Sequence, residues 1–197
     1  MRRIAVRQVV EPGRCLTIPT RSDVIFRFAL ALLLTGLLAI PVRAQQQHVD
    51  STWLSFDPAS KTAKFQLIAG LTGANGALNF NGFRDGGLTL VIPVGWAAEI
   101  AFRNHDGMLP LSAEVISPQT PLPSQPVGPA IPRAFTLKLA EGLPPQGTDT
   151  MRFLAKPAGE YLIFCGVPGH GAAGMWIHLR VSSTAQTPAL LSTPSAK

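Results

Sequence analysis

Cysteine is nearly absent. The chain has two, Cys15 and Cys165, and the first lies in a stretch that reads as a leader. Cys165 is therefore left without an intramolecular disulfide partner, and the fold is expected to rest on its core rather than on a disulfide framework. Charge is scarce as well: Asp, Glu, Lys and Arg make up 14% of the chain. The formal net charge of +6 is concentrated at the front, because residues 1–44 carry seven arginines against Glu11 and Asp23, whereas from Gln45 onward ten Lys/Arg face nine Asp/Glu. A nearly neutral body lacks the basic footprint that a phosphate backbone requires, which sets nucleic acid aside as a partner. Also missing are a GxGxxG fingerprint, a phosphate loop, a nucleophile elbow and a carboxylate pair spaced for acid–base work, so the sequence does not read as an enzyme. No convincing 3.6-residue period runs through the mature chain, which argues against helices of ordinary length.

The single long apolar run is at residues 28–40. It follows Arg21 and Arg27 and precedes Val42-Arg43-Ala44 and the polar Gln45-Gln-Gln47, the layout of a secretory signal. The run is shorter than the ~20 residues of a spanning helix. Residues 1–44 are therefore expected to be a signal peptide and the mature protein to be exported, to a periplasm or its equivalent. Membrane attachment would come only through an uncleaved leader.

What is present is a period of two. Strand-like segments occur at 52–56, 63–68, 78–83, 88–92, 96–102, 111–116, 134–139, 149–154, 161–164 and 176–181, separated by turn residues such as Gly70–Gly76, Arg84-Asp-Gly-Gly87 and Gly142-Leu-Pro-Pro-Gln-Gly147. Short strands at this spacing point to an all-β sandwich or barrel. Prolines 118, 121, 123, 126, 129 and 132 exclude residues 117–133 from a central strand and mark a surface excursion inside the domain. The expected domain spans 45–183, and the Ser/Thr/Pro-rich 184–197 reads as a disordered tail.

The chemistry is concentrated between two of these segments, in Cys165-Gly-Val-Pro-Gly-His170-Gly-Ala-Ala-Gly-Met175. A thiolate, an imidazole and a thioether on one Gly/Pro loop form a soft donor set that suits copper, with Cys and His as strong ligands and Met as a long axial one. Cys165 ends a strand, Pro168 and Gly169 allow the first turn, and Gly171 and Gly174 the second. Trp176 and His178 alternate outward on the following strand, opposite Ile177, Leu179 and Val181.

Residues 164–176 resemble the copper loop of sulfocyanin-type cupredoxins, with rusticyanin next. The resemblance extends through Asn79-Phe-Asn-Gly82, Val94-Gly-Trp96 and Gly142-Leu-Pro-Pro145, roughly residues 78–181. It implies a Greek-key β-sandwich, one mononuclear type 1 copper and one-electron transfer to a redox protein such as a c-type cytochrome or a terminal oxidase, by a monomer. Carried onto this chain, it gives Cys165 and His170 as equatorial ligands and Met175 as axial. The second family histidine follows a proline after an Asn-containing loop; here that position, after Pro110, is Leu111. His105, in the same loop, is the substitute candidate, and Met108 is another soft side chain there. Two alternatives stand beside the electron carrier: a Cu(I)-handling protein, and a cupredoxin-fold binding module without copper.

Overall fold

The structure is a computed structural model, and it describes residues 48–193. The leader expected at 1–44 lies outside the described residues. After a 3-10 turn at Ser51–Trp53, capped by the Asp50 carboxylate, nine strands follow among the described residues: β1 Leu54–Asp57, β2 Thr62–Ala69, β3 Leu88–Pro93, β4 Ala97–Asn104, β5 Glu114–Ile116, β6 Thr148–Leu154, β7 Gly159–Phe164, β8 Trp176–Ser182 and β9 Ala189–Ser192. They form two sheets, ordered β1-β2-β4-β6 and β5-β7-β8-β3-β9. β2 pairs parallel with β4, and β3 parallel with β8, while the remaining pairs are antiparallel. Each parallel pair is adjacent in space but separated in sequence by excursions into the other sheet, as the expected sandwich requires.

Period-two patterning explains the core. β2 buries Ala63, Phe65, Leu67 and Ala69, β4 buries Ala98, Ile100 and Phe102, and β8 buries Ile177, Leu179 and Val181, all in one cluster between the sheets. In β7 the residues Tyr161 and Ile163 face this cluster, and Cys165, two further on, joins it. Leu162 and Phe164 face the other way, into a second small cluster with Ile116, Leu122 and Trp176. Leu122 belongs to the Pro-rich excursion, which therefore covers part of the outer face of the second sheet. Residues 117–133 contain no strand.

Three local expectations are corrected. The segment 78–83 makes only isolated bridges, at Phe80 with Ala69 and Phe83. Its asparagines take the place of a strand's backbone: Asn81 Oδ1 accepts from the Ile68 N–H at 3.0 Å and its Nδ2 donates to Gln66 O at 2.9 Å. The segment 134–139 holds one bridge, Phe135 with Glu114. Positive φ at Arg133 and Lys138 (65° and 54°) bends both its ends, and Thr136 Oγ1 receives the Ala113 N–H at 3.0 Å. Finally, the tail expected to be disordered contains β9, which pairs antiparallel with β3 from Leu88↔Ser192 to Val91↔Ala189 and packs Leu190 against the core.

Candidate metal centre

Strand parity places two of the three donors. β7 and β8 run antiparallel with Phe164 opposite Trp176, so the next rung toward the loop sets Cys165 opposite Met175. The Cys165 N–H donates to Met175 O at 3.1 Å and continues the ladder. Both side chains are wholly buried on the core face.

The nine residues between them fold as two turns. His170 N–H donates to Val167 O at 3.0 Å, Ala173 N–H to Gly169 O at 2.9 Å, Gly174 N–H to Gly171 O at 3.0 Å, and Met175 N–H to His170 O at 3.1 Å. Met175 is thus tied by its backbone to both other candidate donors. The turns bring His170 back over the strand end, where its Nδ1 lies 3.8 Å from Cys165 Sγ. Two donors sharing one ion, with metal–sulfur and metal–nitrogen lengths of about 2.3 and 2.0–2.1 Å, stand roughly 3.6–3.8 Å apart at tetrahedral to trigonal angles. The observed separation fits that geometry.

Gly171 is required by packing. A Cβ there would lie 1.9 Å from Phe164 Cε2. Gly171→Ala is expected to cost on the order of 1–3 kcal/mol through overpacking, read as a lower midpoint in urea unfolding. An unchanged midpoint would show that the loop does not rest on the Phe164 ring.

Burial outweighs the hydrogen-bond donors around the sulfur and favours the neutral thiol while no cation is bound. Burial pushes the Cys165 thiol up, the backbone N–H groups of Ser112 and Val167 and the Ser112 hydroxyl pull it back, and buried Glu114 adds to the rise. A neutral thiol has little use for two N–H donors, whereas a thiolate held by a cation uses both. Burial lowers the His170 pKa, which favours the neutral imidazole, the form whose lone pair can serve as a ligand. Ser112 is the neighbour that sequence reasoning missed. Its Oγ lies 3.9 Å from Cys165 Sγ, accepts the Gly166 N–H at 3.1 Å and donates to Leu139 O at 2.7 Å.

Leu111 precedes Ser112 directly. Its backbone exchanges two hydrogen bonds with Leu143, at 3.1 and 2.8 Å, and its side chain is fully buried in the same cluster as Cys165 and Met175. A buried apolar side chain therefore stands at the position where the family resemblance implies a second imidazole. His105 does not replace it. The loop 104–110 is closed on itself: Asn104 Nδ2 donates to Leu109 O at 2.8 Å and to Leu143 O at 2.9 Å, and Asp106 Oδ1 accepts from the Met108 and Leu109 N–H groups. That closure leaves His105 exposed, with its own N–H on Ala69 O. Among the described residues no three His, Cys, Asp or Glu side chains converge, so His105 does not join Cys165 and His170. Met108 is 86% exposed and points to solvent rather than to the site.

The second half of the loop is held from a distance that no local pattern reveals. Asn75 Nδ2 donates to Ala173 O at 2.9 Å while its Oδ1 accepts from Arg84, and the Asp85 N–H donates to Gly174 O at 2.9 Å.

A two-sheet sandwich with Cys, His and Met on the loop between its antiparallel strands defines a cupredoxin. Two rusticyanin variants have similar folds, each with a TM-score of 0.53 and 21% identity over 80% of this chain and 94% of theirs. The sulfocyanin (SoxE) domain family matches residues 50–133 and 140–192, and the chain belongs to that family. A relative is the sulfocyanin of Sulfolobus acidocaldarius, 26% identical over 144 residues, which are 68% of this chain and 70% of the relative.

Proposed function

We propose that this chain is an exported blue copper protein that carries single electrons between redox partners, with Cys165, His170 and Met175 as the protein donors. The observation that carries the proposal is the 3.8 Å approach of His170 Nδ1 to a buried sulfur on a loop closed by backbone bonds. Membership of the sulfocyanin family supports it. Copper held there supplies a one-electron couple, since thioether and thiolate favour Cu(I) and imidazole serves both states. The residues do the rest. Burial disfavours the free thiolate, so Cys165 would lose its proton to solvent as a cation takes its place on the sulfur, and metal uptake would release a proton. The doubly turned loop, closed by its backbone hydrogen bonds, would restrain the spacing of imidazole and sulfur as the ion changes state. Pro168, Gly169, Ala172 and Ala173 are exposed beside His170 and form the uncharged rim through which a c-type cytochrome or terminal oxidase would dock on a monomer. With ten Lys/Arg against nine Asp/Glu from Gln45 onward, the encounter is expected to depend weakly on salt.

Leu111 favours a second reading, Cu(I) handling: two sulfurs, one imidazole and an apolar wall retain Cu(I) better than Cu(II). One titration separates the readings. The purified protein is loaded with Cu(I) against a competing chelator and then oxidised while its visible spectrum is recorded. One ion per chain with a thiolate-to-Cu(II) charge-transfer band on oxidation supports the carrier. One Cu(I) without a stable coloured form supports handling. No uptake of either ion overturns both and leaves a metal-free binding module.

A further inference from the structure

The Pro-rich excursion touches the metal loop. The Gly169 N–H, next to His170, donates to Ser124 O at 2.9 Å. The excursion is itself anchored at two points. Leu122 packs on Ile116, Leu162 and Phe164. The carboxylate of Glu114, wholly buried in β5, accepts the Val127 N–H at 3.2 Å and the Gly128 N–H at 3.1 Å, one on each oxygen. Ala130 N–H adds a bond to Val115 O at 2.7 Å. Among the described residues this buried carboxylate engages no cation and no side-chain donor, only two backbone N–H groups of a surface segment; burying it is costly, and those two bonds, which offset part of the cost, tie the segment to β5.

We propose that Glu114 is a positioning residue for the metal loop, acting through residues 117–133 as a strap whose Ser124 carbonyl fixes Gly169 and so the approach of His170 to Cys165. The copper part of this proposal rests on the function proposed above; the clasp itself does not.

Glu114→Gln keeps the shape but offers one acceptor and one mismatched N–H₂ where two acceptors are needed. In the copper-free full chain, amide hydrogen exchange is expected to accelerate at Val127, Gly128 and Gly169 by at least about tenfold, with core amides of β3 and β8 unchanged. Cu(I) affinity, measured by chelator competition, is expected to fall by about tenfold, within the usual range for loss of an outer-shell partner. Leu122→Ala leaves the carboxylate in place but loosens the strap's apolar anchor, and is expected to move Gly169 exchange and Cu(I) affinity in the same direction. Acceleration at Val127 and Gly128 with Gly169 unchanged would overturn the strap. So would a Cu(I) loss in Glu114→Gln that Leu122→Ala does not share, because the carboxylate would then act on the sulfur directly. If the wild-type chain takes up no copper, the functional reading fails, and exchange at Gly169 still decides the clasp.

Discussion

Leu111→His is expected to intensify and shift the thiolate-to-Cu(II) charge-transfer band of the loaded protein. Leu111 is fully buried, shares a cluster with Cys165 and Met175, and precedes the serine whose hydroxyl lies 3.9 Å from the sulfur. An imidazole in its place completes the two-His, one-Cys set that Cu(II) prefers. Tighter binding of Cu(II) relative to Cu(I), by about tenfold or more, lowers the potential by at least about 59 mV for a one-electron couple. Without metal the same change buries an unpartnered polar ring and is expected to destabilise the chain by roughly 1–3 kcal/mol. Copper restores that loss, because a ligand bound only by the folded state stabilises it. A redox titration beside the visible spectrum checks both effects, and an unchanged spectrum would show that Leu111 does not face the ion.

Cys165→Ala is expected to reduce copper affinity by more than about 100-fold, beyond the usual cost of losing an outer-shell partner. The fold should survive, since the change removes one sulfur from a core that spans both sheets, at about 1–2 kcal/mol. Met175→Leu keeps the volume and removes only the thioether. It should lose less affinity than Cys165→Ala and still move the potential measurably, because the axial sulfur that tunes the couple has gone. Chelator competition and far-ultraviolet circular dichroism on the two variants give affinity and fold separately. Equal copper binding in Cys165→Ala and wild type would place the ion elsewhere.

The parts of the molecule legible in the sequence are those governed by strand parity. Alternation in Tyr161–Cys165 and in Met175–Val181 sets which side chains enter the core, and it points the cysteine and methionine inward together. The Gly/Pro spacing between them is short enough that His170 returns to the same end. What was not legible depends on side chains that imitate backbone, or on edges completed from far away. Asn81 and Thr136 satisfy backbone groups that strands would otherwise pair, so 78–83 and 134–139 look like strands and are not. β9 sits in tail-like composition, and the open edge of β3 recruits it. His105 reads as a substitute because it lies in the loop leading to Pro110, yet the polar groups of 104–110 close that loop on itself instead of over the site. Ser112 carried one signal, its place beside the expected ligand position. Asn75 and Glu114 act on the loop from other elements, which a linear pattern does not register.

X-ray absorption at the copper edge of the loaded full-length protein tests the central claim most directly. The expected first shell holds a short sulfur from Cys165, one imidazole nitrogen from His170 and a longer sulfur from Met175, with no second imidazole. A shell of nitrogen and oxygen alone, or two imidazoles, would contradict it.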